Sequence, residues 1–128
     1  MALTIAMDGT LSIQLTDEAR PTPIPVKFNL TYTKKVMYDF VNTTTVSHVA
    51  VPQGGVLHPR FILVFVREGE IELSWDAGGA NPTVIQANPV QSPPDVPVFM
   101  LARYQPDDVG QLYLTSAGVA RGAIWLFE

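Results

Sequence analysis

Four acids within nine residues, Glu68, Glu70, Glu72 and Asp76, form the densest cluster of carboxylates in the chain. Glu70 and Glu72 fall on one face of a strand, roughly 7 Å apart along it. Paired carboxylates can act as acid and base on a glycosidic bond. On an exposed strand they also serve as solvated charges that discourage edge-to-edge pairing, which is the simpler reading here. His48 and His58 stand ten residues apart, away from any nucleophile elbow, phosphate-cradling glycine loop or helical metal motif. They read as structural or surface histidines. Asp107-Asp108 after Pro106 is a turn or cap pattern first and a calcium pattern second. Arg20, Arg60, Arg103 and Arg121 are scattered and suit pairing across surfaces or interfaces.

The elements that must hold these residues are strands. Arg60 to Asp76 reads as two antiparallel strands joined at Glu68-Gly69. Phe61 to Val66 is apolar on both faces, as in a strand covered by a layer on each side. Ile71, Leu73 and Trp75 then alternate with Glu70, Glu72 and Ser74, giving one apolar and one wet face. Further period-two segments are Thr10 to Thr16, Val26 to Thr33, Val36 to Val41, Val46 to Val51, Thr83 to Gln86, Val98 to Tyr104, Gln111 to Thr115 and Gly122 to Phe127. Between them run Pro21-Thr22-Pro23-Ile24-Pro25, Pro52-Gln53-Gly54-Gly55, the 77–82 turn, and an 88–97 loop holding Pro89, Pro93, Pro94 and Pro97. No window carries a helical period. Eight to ten short strands at this spacing predict an all-β, antiparallel β-sandwich, jelly-roll-like, as a single domain over 1–128, with 1–9 as an extended N-terminal arm.

Composition narrows the function classes. Hydrophobic residues make up 47% of the 128, enough for a core and against disorder. Only 16% are charged, so Thr, Ser, Asn, Gln or neighbouring subunits must cover the exterior. Net charge is −4, and no basic run exceeds Lys34-Lys35, which disfavours nucleic acid as a partner. The chain has no cysteine, removing thiolate chemistry, disulfides and cysteine zinc sites. The start Met-Ala-Leu-Thr-Ile-Ala-Met-Asp does not resemble a secretion signal, and no stretch has membrane-spanning length. Folding in the cytoplasm, without a membrane, is therefore expected.

Gly55-Val56-Leu57-His58-Pro59-Arg60, the apolar strand after it, and Arg67-Glu68-Gly69-Glu70-Ile71-Glu72-Leu73 resemble the first signature of the cupin family. That likeness implies a jelly roll in which a His-x-His pair and a following Glu converge on one metal. Here His58 matches the first histidine, but Arg60 stands at the second, and Val64 or Phe65 at the carboxylate. No metal and no cofactor is expected, and a cupin-like small-molecule binder or enzyme is kept as an alternative.

The ending Leu112-Tyr113-Leu114-Thr115-Ser116-Ala117-Gly118, then Arg121-Gly122-Ala123-Ile124-Trp125-Leu126-Phe127-Glu128, looks like small tailed-bacteriophage virion proteins of the capsid cement or decoration type. The cysteine-free chain, Thr/Gln/Asn-rich strands and proline-rich connectors share that likeness. It implies a non-enzymatic virion protein on the capsid surface, made in the host cytoplasm. Its partners would be the major capsid protein and itself, as a homo-oligomer. A tail, baseplate or head-fibre component is the alternative within that class. Candidate contact residues are Met1, Leu3, Ile5, Pro21, Pro23, Pro25, Pro89, Pro93, Pro94, Trp125 and Phe127.

Overall fold

Alternation of apolar and polar residues becomes ten strands and no helix among the residues described by the computed structural model, which are 3–13, 17, 19–20, 22–87, 99–102 and 110–128. The chain forms two compact units, Met1–Thr33 and Lys34–Glu128.

The first unit is an antiparallel ribbon of β1 (Leu3–Ile13) and β2 (Thr22–Tyr32), eleven residues each. Among the described residues these strands pair only with each other. Leu3 stands opposite Tyr32, Ile5 opposite Leu30, Met7 opposite Phe28, Leu11 opposite Ile24 and Ile13 opposite Thr22. Directly opposed residues share a face, so nearly every large apolar residue of both strands falls on one side. The other side takes Thr4, Ala6, Asp8, Thr31, Asn29 and Lys27. Of these, Thr4, Ala6, Lys27, Asn29 and Thr31 are exposed.

Residues 3–9, expected as an arm, are thus the first seven positions of a strand. The segment read as the connector Pro21 to Pro25 is likewise strand from Thr22 onward. Proline lacks the donor that an inner strand needs, but an outer strand can carry it on the side away from its partner. Pro23 and Pro25 are both exposed.

The second unit holds eight strands: β3 (Lys35–Asn42), β4 (Val46–Ala50), β5 (Phe61–Glu68), β6 (Glu70–Ser74), β7 (Thr83–Gln86), β8 (Phe99–Ala102), β9 (Tyr113–Ser116) and β10 (Ala120–Phe127). They form two four-stranded antiparallel sheets, ordered β3-β10-β5-β8 and β4-β9-β6-β7. The pairing is nested: β6 with β7, β5 with β8, β4 with β9 and β3 with β10. A chain doubled back in this way and rolled over two sheets is a jelly roll. The antiparallel β-sandwich anticipated from the alternation is therefore the fold.

Between the sheets lies one core. Phe40 from β3, Ile62, Val64 and Val66 from β5, and Ala120, Ile124 and Leu126 from β10 meet Ile71 and Leu73 from β6, Ile85 from β7 and Leu114 from β9. The alternate residues of β5 point to the opposite side of the sheet. There Phe61, Leu63 and Phe65 are buried as well, at 4%, 9% and 7% exposure, so β5 is covered on both faces as its composition predicted. Rings pair across this outer face, Phe65 with Trp125 at 5.1 Å between centroids and Phe61 with Phe127 at 6.0 Å.

Trp75 does not continue the inward row of Ile71 and Leu73. Strand β6 ends at Ser74, and Trp75 is exposed in the bend after it. The reason lies in Ser74, whose hydroxyl donates to the Ala80 carbonyl at 2.6 Å and accepts from the Asp76 amide at 3.1 Å. Asp76 in turn accepts from the Gly78 and Ala80 amides, so local side-chain bonds bend the chain off the strand before Trp75 can turn inward.

Candidate functional site

The carboxylates singled out in the sequence meet a concavity on the outer face of the β4-β9-β6-β7 sheet. Its volume is about 360 Å³, and Glu70 and Glu72 lie on its floor with Ser47, Thr115 and Ser116 around them. Pairing builds it: Glu72 stands opposite Thr115, and Val46 opposite Ser116. One wall comes from a bulge in β4, where the register slips between Val46 and Val49. His48 occupies the bulge with φ of 48°, a left-handed value rarely taken by a residue other than glycine. The amide of His48 donates to the Thr115 hydroxyl at 2.9 Å, and its ring lies against Gly79, where a β-carbon would overlap the imidazole.

What this concavity can do follows from its partners. The Thr45 hydroxyl donates to the Ala117 carbonyl, and the Ser116 hydroxyl accepts from the Asn42 amide. Thr115 is taken by His48. Thr45 thus gives its proton to backbone, whereas Thr115 and Ser116 each accept one hydrogen bond and keep a proton of their own to donate. No histidine, lysine or arginine is among the residues lining the concavity. Glu70 accepts from the Gln86 side chain and is exposed, whereas Glu72 is half-buried. The arrangement is a polar, acidic depression on a sheet surface that can accept hydrogen bonds from a ligand or partner.

A second cluster surrounds Glu128. One carboxylate oxygen accepts the amides of Leu57 at 2.7 Å and His58 at 2.5 Å, while the other accepts the Lys34 ammonium at 2.8 Å. Burial pushes the Glu128 carboxyl up, but the Lys34 hydrogen bond, the two amides and the Lys34 charge outweigh it and hold the group below its ordinary value.

The cupin-matched positions do not converge. His58 is half-buried ahead of β5, and its Nδ1 is buried without a hydrogen-bond partner. Arg60 is exposed, Val64 faces the core, and Phe65 faces the opposite side of the sheet. Among the described residues, no three His, Asp or Glu side chains are grouped to hold a metal ion.

Of the candidate contact residues, Met1, Pro21, Pro89, Pro93 and Pro94 lie outside the described residues, as does the 88–97 loop. Leu3 and Ile5 share the apolar side of the ribbon by register, while Pro23 and Pro25 lie on its opposite side. Trp125 is half-buried on the outer face of the β3-β10-β5-β8 sheet, and Phe127 on the same face is buried at 3% exposure. Sequence reading passed over Met37 and Val41, which flank that face from β3 at 56% and 65% exposure. Two large apolar residues at positions i and i+4 of an otherwise charged strand edge are the signal that could have found them. No protein-family model, curated protein or solved structure matches this chain.

Proposed function

We propose that this protein is a non-enzymatic virion structural component that stabilises a phage capsid by binding the major capsid protein and further copies of itself. The observation that carries this reading is the β1–β2 ribbon. Eleven paired positions put the large apolar residues at alternate, opposed places, in a sheet of two strands among the described residues. A two-stranded ribbon is marginal in water unless something covers its apolar face, so such an element suits an arm that completes its packing on a neighbour. The jelly roll supplies a rigid body for the arm, an architecture also used by viral capsid domains, although fold alone does not assign a task. The acidic depression around Glu70 and Glu72 adds a polar patch that can exchange hydrogen bonds with a partner.

The test is co-sedimentation of the full chain with shells assembled from a tailed-phage major capsid protein drawn from the same genome as this chain. Stoichiometric pelleting with wild type, lost in Ile5→Asp, is the expected result. Absence of wild-type pelleting at any ratio would overturn the reading.

A further inference from the structure

In the unit Lys34–Glu128, taken by itself, strands β3, β8, β4 and β7 end the two sheets among the described residues. Strands β7 and β8 are four residues long, and β4 carries the His48 bulge. Short edges and bulges discourage a further strand from adding. Strand β3 has neither device, since its eight residues meet β10 without a register shift. Lys34 and Glu128 exchange both of their backbone hydrogen bonds, at 3.0 and 2.9 Å. By antiparallel alternation, Val36, Tyr38 and Phe40 then bond to β10. The N–H and C=O groups of Lys35, Met37, Asp39 and Val41 therefore point to the other edge, and these four residues form the exposed row of the strand. Neither Lys35 nor Asp39 has an ion-pair partner among the described residues.

We propose that β3 pairs with β3 of a second copy of this chain, antiparallel about a two-fold axis at Met37, joining two β3-β10-β5-β8 sheets into one. The occupant follows from the order of the exposed row, which reads cation, apolar, anion at Lys35, Met37 and Asp39. Reversed against itself, that order sets Lys35 opposite Asp39 twice and Met37 opposite Met37, with Val36 opposite Tyr38 on the core side. Lys35, Met37 and Asp39 also carry the outward backbone groups, so the same register forms the hydrogen-bonded pairs. Sliding the second copy toward Val41 sets Asp39 first against Met37 and then against the other Asp39. An edge bearing both charge signs repels unmatched strands but suits its own reverse, which singles out a second copy. The contact is isologous and closes at a dimer. It rests on the self-association in the reading above and gives it a surface, while needing neither the ribbon nor a shell.

Charge reversal tests the pairing. Light scattering should show a dimer for the wild type, and a folded monomer for Lys35→Asp and for Asp39→Lys, because like charges then meet twice. An equal mixture of the two variants should dimerise, since each supplies the charge the other lacks, and Lys35→Asp/Asp39→Lys should recover the dimer. A monomeric wild type leaves the edge to another occupant and overturns the proposal, as do single variants that stay dimeric or a mixture that stays monomeric. The chain has no cysteine, so one added thiol reports alone. Met37→Cys should cross-link to its own copy under mild oxidation, because opposed hydrogen-bonded residues lie about 5.5 Å apart at Cα, within disulfide reach. Val41→Cys on the same row is the control, its two copies offset by about 27 Å along the strands, and should yield about tenfold less. Equal yields, or more from Val41→Cys, overturn the proposal. No shell is present, so failure here is distinguishable from failure to pellet with capsid protein.

Discussion

Gln53 and Leu112 are joined by a buried hydrogen bond, with the Leu112 amide donating to Gln53 Oε1 at 2.7 Å. The other end of the same side chain donates to the Gly110 carbonyl at 2.7 Å and the Val56 carbonyl at 3.1 Å. A single amide at 7% exposure therefore satisfies three backbone groups and ties the loop after β4 to the segment entering β9. Gln53→Leu keeps the volume but strands all three, and a buried unpaired group costs about 1–3 kcal/mol. The expected loss is about 2–5 kcal/mol, read as a lower urea midpoint with unchanged slope.

Glu128 makes the fold sensitive to acid. Its folded carboxyl titrates below the ordinary value, so the stabilisation is complete above the ordinary carboxylate range and is lost as pH falls through the depressed folded value. Urea midpoints measured from neutral pH downward should decline in that range for wild type. The decline should be shallower in Glu128→Gln, which is less stable at neutral pH and converges on wild type in acid.

Gly122 stands opposite Phe40 on one side and Val66 on the other. A β-carbon there would overlap the Phe65 carbonyl oxygen and crowd the Phe40 ring. Gly122→Ala should cost at least about 3 kcal/mol, at the upper end of what overpacking imposes, because backbone must move. The thermal midpoint is the measurement, and Gly118→Ala, where the added carbon meets nothing, is the control.

Phe65 and Trp125 give the outer face a spectroscopic reporter. Phe65→Ala should cost about 3–5 kcal/mol. In a Trp75→Phe background the emission of Trp125 should shift to the red as its ring partner is removed. By contrast Glu68→Ala, which breaks only the 3.4 Å pair with the exposed Arg121, should change stability by less than about 0.5 kcal/mol.

These sites show which parts of the molecule were legible in one dimension. Phe61 to Val66 reads as doubly covered because burial on both faces leaves no polar position to alternate, and β7 is bounded as Thr83 to Gln86 by turn residues on either side. Trp75 misleads because alternation cannot register that Ser74 bends the chain away with its own hydroxyl. Pro23 and Pro25 read as connector because a proline's cost depends on which side its missing donor faces, which only strand pairing decides. Gln53 looks like ordinary loop polarity, since two of its three partners lie 57 and 59 residues away. The concavity is invisible for the same reason: Glu72 and Thr115 become neighbours only through the β6–β9 register.

The nested strand pairing sets a timetable for folding. The innermost pair is local, with Glu70 and Gln86 only 16 positions apart, whereas Lys34 and Glu128, which pair at the outermost turn of the roll, are 94 apart. Closing the longer loop costs about 1.5 kcal/mol more chain entropy, and none of the outer contacts repays it until the inner ones stand. Topologies of this kind fold in milliseconds to seconds, slower than a hairpin whose strands are neighbours in sequence. The β1–β2 ribbon is such a hairpin. On the proposed reading of the ribbon as an assembly arm, an arm formed before its body has closed would expose newly synthesised chains to premature capture, and slow refolding at high protein concentration is where that hazard would be seen.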